Sequence, residues 1–255
     1  ITTVSEGSKS FLQKHTFSPR LINEFRTSIS RLREWHIPLG WFGTYGTNYA
    51  ATFGIPNFPA LQMPIFNISG TAGLGPTRPP LNQNKQHFYI VDAVTYVRGR
   101  HIIKSGTDTV WSQERRFQPN GGTFGFDAAF TSQPGVARSG IGMASFLLGL
   151  PINASVSVTQ FAQNYRAQSS ALYLQDDWKA APSLTLNLGV RFDGLLGLTE
   201  INDQISNFNL QTGVVERVGR DGRPRSPFDF NMKFAPRIGF AWQPRFLRAT
   251  ALRGG

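Results

Sequence analysis

Apolar and polar positions alternate without a break from Leu184 to Asp193. Leu184, Leu186, Leu188, Val190 and Phe192 fall on one face, and Thr185, Asn187, Gly189, Arg191 and Asp193 on the other. A period of two is that of a β-strand with one apolar and one polar side. Ala180, Ala181, Pro182 and Ser183 form a short breaker before it. Upstream of the breaker, Leu172, Leu174 and Trp178 oppose Tyr173, Gln175 and Asp177. Two amphipathic strands around a tight turn make a hairpin. The same pattern predicts strands at about 19–34, 85–98, 101–115 and 235–243, with another beginning near Ala249. Leu21, Phe25 and Ile29 oppose Glu24, Arg26, Ser28 and Ser30. Ile103, Thr107, Thr109 and Trp111 oppose Lys104, Gly106, Asp108 and Glu114. Ile238, Phe240 and Trp242 oppose Arg237, Gly239 and Ala241. The stretch 85–98 is strand-forming by its β-branched and aromatic content, although both of its faces are largely apolar.

The connections alternate strictly in length. Those at 35–84, 116–156 and 197–233 are long; those at 99–100, 179–183 and 244–248 are short. A compact soluble domain seldom needs three loops longer than about 15 residues. Outer-membrane barrels combine short periplasmic turns with long extracellular loops. Backbone groups in lipid must all be paired, so only helices or closed barrels span. The reading is therefore all-β: an antiparallel transmembrane β-barrel segment of about six to seven strands, with the long loops outside. Leu184, Leu186, Leu188, Val190 and Phe192 are expected to face hydrocarbon, and Thr185, Asn187, Arg191 and Asp193 a polar lumen. Tyr96, Trp178 and Trp242 near the short turns, and Trp35 and Trp111 near the long loops, fit interfacial girdles. So few strands fall short of the roughly 8 in the smallest complete barrels. Residues 1–255 are expected to be one partial barrel domain, a fragment with no plug domain and no signal peptide in this chain.

Composition agrees with a surface that is not wholly in water. Charged residues make up 16 % of the chain, against about a quarter in soluble domains. A net charge of +11 first suggests nucleic acid or another polyanion. The Arg and Lys residues are spread along the chain without a basic tract, so nucleic acid is not expected as a partner. Cysteine is absent, which excludes disulfides and thiolate metal sites. No apolar run approaches the roughly 20 residues of a membrane helix. The longest, Met143 to Leu150, ends at Pro151.

Little in the chain suggests covalent chemistry. Asp176 and Asp177 are adjacent, but strand neighbours point to opposite faces, so the pair cannot converge for acid–base work. His15, His36, His87 and His101 lack metal-ligand spacing. The glycine-rich run Gly70 to Gly75 has neither a strand–helix context nor a GK[ST]. No catalytic residue, metal or cofactor is expected, and the chain is not read as an enzyme. Arg217, Arg220, Arg223 and Arg225 cluster in the third long loop, suited to an anionic ligand or lipopolysaccharide phosphates, or simply solvated. Arg26, Lys104, Arg191 and Arg237 form a basic lumen strip, or else pair with Glu24, Asp108, Asp177 and Asp193; the sequence leaves both open. Candidate ligand-binding residues are Arg191, Asp193, Arg217, Arg220, Arg223 and Arg225.

Several segments together resemble one family. Gly99-Arg100-His101-Ile102-Ile103-Lys104-Ser105-Gly106 resembles the GRHTLKFG hairpin of TonB-dependent receptors of the Oar-like type. Ala144 to Pro151 is similar to their FADFLLGLP segment. Tyr173 to Lys179 with Leu184 to Arg191 is similar to their YVQDDWKVTPRLTLNLGLRYE hairpin. Asn23-Glu24-Phe25-Arg26, Ser206-Asn207-Phe208, Ala235 to Trp242 and Leu252 to Gly255 match in the family's order. Ser105 stands where Phe is usual, and Phe192-Asp193 where Tyr-Glu is usual; neither breaks the alternation. The resemblance implies a receptor of the Gram-negative outer membrane that imports an unknown small ligand with energy from TonB. The TonB complex would act through a plug region absent here, and outer-membrane lipid would surround the wall. A passive structural or adhesive barrel without TonB coupling is the alternative. A soluble carbohydrate-binding β-sandwich and an outer-membrane hydrolase are more distant ones.

Overall fold

The computed structural model describes residues 2–38, 47–58, 62–76, 78–119, 121–157, 161–244 and 250–255. Its main feature is one eight-stranded sheet in the order β1-β2-β4-β5-β8-β9-β12-β13. These strands are β1 (Thr2–Ser18), β2 (Leu21–His36), β4 (Leu81–Arg98), β5 (His101–Phe117), β8 (Gln163–Ala181), β9 (Leu184–Glu200), β12 (Asn231–Trp242) and β13 (Leu252–Gly254). The sheet carries one strand, β1, that the residue pattern does not reveal. Leu12 and Val4 share one parity while Phe11 and Phe17 share the other, and Ser, Thr and Lys occupy both. Neither face therefore reads as apolar. The turn at Pro19–Arg20 adds a further short connection to the alternating series.

The opening hairpin forms as its alternation dictates. β8 and β9 pair antiparallel, with Leu174 opposite Val190, Leu172 opposite Phe192 and Tyr173 opposite Arg191. On the other side of β9, β12 places Phe234 opposite Phe192, Ile238 opposite Leu188 and Phe240 opposite Leu186. Cross-strand partners share a face, so one apolar face runs continuously over three strands. That face is uncovered: Leu172 is 61 % exposed, Phe234 59 % and Ile238 74 %. On β4, Phe88, Val94 and Tyr96 are exposed on a single parity, which resolves its two-sided apolar pattern. Asp92 shares that parity, and the Asn23 amide donates to its carboxylate at 2.5 Å. Pro236 stands opposite Val190 in β9.

The short turns are tied to the sheet. The carbonyls of Arg20, Arg100 and Ser183 accept from the backbone N–H groups of Val97, Lys179 and Gln243, each at 2.8 Å. Gly99 takes φ +59, the left-handed conformation a two-residue turn requires. The turn expected at 244–248 lies, but for Pro244, outside the described residues.

The long connections carry structure of their own. They hold α1 (Tyr49–Thr52), β3 (Ile65–Ile68), β6 (Thr123–Phe126), α2 (Gly142–Leu147), β7 (Asn153–Ser155), β10 (Ser206–Asn209) and β11 (Val214–Arg217). The chain divides into two compact units. One comprises Ile1–Ser5, Arg33–Asn84 and Arg115–Gln163; the other comprises Glu6–Leu32, Lys85–Glu114 and Asn164–Gly255. In the first, β3 pairs parallel with β6 and β6 antiparallel with β7. Phe66, Ile68 and Phe126 are buried there, and Phe146 packs edge-on against Phe66 and Phe126. The run Met143 to Leu150 thus serves a loop core: Met143 and Phe146 turn inward, while Leu147 and Leu148 stay exposed.

The exposed apolar parity predicts a test. Leu188 lies near the middle of the roughly 10-residue span above the Pro182–Ser183 turn. Leu188→Arg should cost about 2–4 kcal/mol, and Asn187→Arg on the opposite face clearly less. Urea-dependent folding into lipid vesicles measures both. Equal costs would contradict the assignment of faces.

Candidate functional site

The polar face of the wall carries a row of interacting charges. Lys104 in β5 meets Asp177 in β8 at 3.2 Å. Asp177 also accepts from Gln175 at 2.9 Å and from Asn187 in β9 at 2.6 Å. Arg191 in β9 reaches Asp108 in β5 through Nη2 and Asp193 through Nε, both at 2.9 Å. Strand periodicity puts these groups on one face, and the antiparallel register brings them within reach of one another. Arg26 pairs with Glu24 in β2. The lumen charges that sequence left undecided are therefore largely paired. Arg237 makes no ion pair among the described residues and lines a groove with Gln175 and Asn187. Close packing accompanies the row: a Cβ on Gly106 would lie 2.7 Å from the Tyr173 hydroxyl. Covering a strand glycine with an aromatic ring supports the strand where it lacks a side chain.

Asp176 and Asp177 diverge as strand geometry requires. The Asp176 carboxylate lies 2.7 Å from His101 Nδ1, and the His101 ring stacks on Trp178 at 5.5 Å. Trp178 and Tyr96 are thus beside the short turns, where an interfacial girdle belongs.

The third long connection neutralises much of its arginine cluster. Arg223 meets Glu216 at 2.9 Å and Asp221 at 3.5 Å. Arg225 meets Asp203 at 2.7 Å and also donates to the carbonyls of Glu200 and Ile201. Arg217 and Arg220 are exposed and make no ion pair among the described residues. Sequence reading missed the acid that organises this rim. Glu200 is 1 % exposed, and its carboxylate accepts from the backbone N–H groups of Asn164, Asn202 and Gln204 at 2.8–3.1 Å. The signal was its place at the end of β9 before the turn-forming run Asn202-Asp203. Among the described residues, no group of three His, Asp or Glu is arranged to hold a metal ion.

The geometry is that of a wall: one face apolar and uncovered, the other polar and cross-linked by charge. The Outer membrane beta barrel domain family matches residues 3–255. The chain belongs to that family. Its place is accordingly the outer membrane of a Gram-negative-type cell, with membrane lipid against the apolar face. By the rule for such barrels, the short turns lie on the periplasmic side and the long connections outside. The barrel is also similar to the TonB-dependent transporter Oar of Myxococcus xanthus, at 32 % identity over 113 residues. That match covers 43 % of this chain and 10 % of the relative, so the chain spans about a tenth of the relative's length. Among solved structures, the copper transporter OprC matches 94 % of this chain and 27 % of its own, at 7 % identity and a TM-score of 0.40.

Two predictions follow from the charges of the barrel. Arg191→Leu leaves Asp108 and Asp193 unpaired on the same face. A loss of about 1–2 kcal/mol is expected, partial solvent exposure having been allowed for, and vesicle unfolding in urea reads it. In the outer hairpin, the hydrogen bond from Arg223, with that from Asn209, holds the Glu216 carboxyl below its ordinary value of 4.5. A carboxyl lowered in the folded state stabilises it above the unfolded value and ceases to as pH falls through the folded one. Arg223→Gln should therefore move the Glu216 midpoint up towards 4.5. NMR titration of the glutamate carboxyls checks it, an unmoved midpoint being the contrary result.

Proposed function

We propose that this barrel wall belongs to a TonB-dependent receptor that binds a small ligand among its outer loops and upper lumen and imports it when energised. The similarity to the Oar transporter carries this reading. The face that would line the lumen supports it, with polar and charged groups from Lys104 to Asp193. In this reading residues 1–255 form one barrel domain, and TonB acts through a plug outside them. Arg217 and Arg220, exposed in the third loop and without an ion pair among the described residues, receive an anionic ligand first. Arg191, Asp193 and Arg223 shape the path rather than bind directly, since each already holds an ion pair, while Arg225 is held by Asp203 at the rim of the apolar face. No covalent step is involved.

One observation favours the second reading, a passive barrel without TonB coupling. The lumen charges mostly satisfy one another, and a wall built for stability alone would do the same. Binding of the full-length protein, in detergent, to the purified periplasmic domain of TonB separates the two. Capture that a peptide of the protein's own TonB-binding segment competes away is the expected result. Absence of capture selects the passive barrel.

A further inference from the structure

A groove on the apolar face of the wall has a chemistry that the receptor reading does not use. It measures about 510 Å³ and is lined by Trp111, Gln113, Arg166, Gln168, Arg225 and Phe230, among others. Its face is fixed by its neighbours. Ser170 is paired with Gly194, and Gly194 with Met232, so all three share the face of the exposed Leu172, Phe192 and Phe234. A Cβ on Gly194 would lie 3.5 Å from the Phe230 ring, which places that ring on the same side. Gln168 donates to Ser170 there at 3.2 Å, and Trp111 packs against Phe88, one of the exposed apolar side chains of β4.

The height of the groove follows from counting. Trp111 is about 10 residues above the Gly99–Arg100 turn, and Gln168 about 14 above Pro182–Ser183. A tilted strand crosses hydrocarbon in roughly 9–11 residues. The groove therefore opens at the outer boundary of the bilayer, towards lipid. Its floor is aromatic, with Phe228 62 % and Phe230 57 % exposed. Its polar rim carries two guanidinium groups. Arg225 is held by Asp203 and by two backbone carbonyls. Arg166 donates one bond, from Nη1 to the Tyr165 carbonyl at 3.0 Å, and makes no ion pair among the described residues. A guanidinium has five donors in a planar fork suited to phosphate. One uncompensated cation, amide groups and aromatic rings at the edge of the hydrocarbon match a phosphorylated amphiphile. The rings meet its acyl chains, the amides its sugar or glycerol hydroxyls, and Arg166 its phosphate.

We propose that this groove is a binding site for a phosphorylated glycolipid of the outer leaflet, with Arg166 as the phosphate ligand and Arg225 as the cation that fixes the rim. The site rests on the membrane placement of the wall and is independent of TonB coupling. A second groove, within the other compact unit, repeats the chemistry. It joins Arg33, Arg115 and Trp35 to Asn82 and Asn84, whose Oδ1 atoms are buried without a hydrogen-bond partner among the described residues.

The experiment uses full-length protein folded into phosphatidylcholine vesicles with or without lipid A, extracted gently and weighed by native mass spectrometry. Wild type should retain lipid A in preference to phosphatidylcholine. Arg166→Gln should lower lipid A retention roughly fivefold, the effect of one basic residue at an anionic membrane surface. Arg166→Lys should be intermediate. All three should keep the heat-dependent gel shift and the same phosphatidylcholine content. Equal lipid A retention in the three proteins overturns the proposal. Displacement of lipid A by inorganic phosphate at matched phosphate concentration overturns the lipid as its occupant.

Discussion

Backbone hydrogen bonding in a solvent that offers none is the constraint on which this chain depends. Each peptide group left unpaired in hydrocarbon costs several kcal/mol, so pairing between neighbouring strands has to be complete where lipid surrounds them. It sets a minimum of roughly 9–11 residues for a crossing strand, which the 16 to 19 residues of β2, β4, β5, β8 and β9 exceed, far longer than usual for a globular protein. It also explains the short turns, which keep adjacent strands in register with little chain to spare. Parity then assigns the faces, and a one-residue slip would exchange them. The edges β1 and β13 are the ends of the series among the described residues.

The hairpin around Pro182–Ser183 was legible because its alternation is unbroken and each face has one chemical character. β1 was not, because its apolar residues divide between the two parities, and a strand with two mixed faces has no periodic signature. The long connections read as irregular for a different reason. Phe66, Phe126 and Phe146 are distant in sequence and meet only through the β3–β6 pairing. Each segment taken alone is too short to show a period.

The candidate site was legible in its residues but not in its electrostatics. Arg191 and Asp193 stand on one parity, which sequence shows directly. That Asp108 completes the group depends on the order β5-β8-β9, which it does not. The pairing of the third-loop arginines cannot be seen in the sequence, because their carboxylates are not marked by any local pattern. Asp203 lies 22 residues before Arg225 and Glu216 seven before Arg223, and both reach their arginines only through the fold. Four arginines that read alike along the chain become two anchored and two exposed.

The net charge of +11 takes on a different meaning once pairs are removed. On the polar face, Lys104 and Arg191 are spent on carboxylates of neighbouring strands. Among the cations that make no ion pair within the described residues, Arg237 stands on the polar face, Arg217 and Arg220 in the third loop and Arg166 on the apolar side of the rim. A cation at that height can have its side chain among headgroups while its strand remains paired, so it adds attraction without the cost of burial. The ion pairs of Lys104 and Arg191 on the polar face, and the cations without one at the outer end, describe a wall whose charge is partly spent within its own sheet and partly held out at its rim.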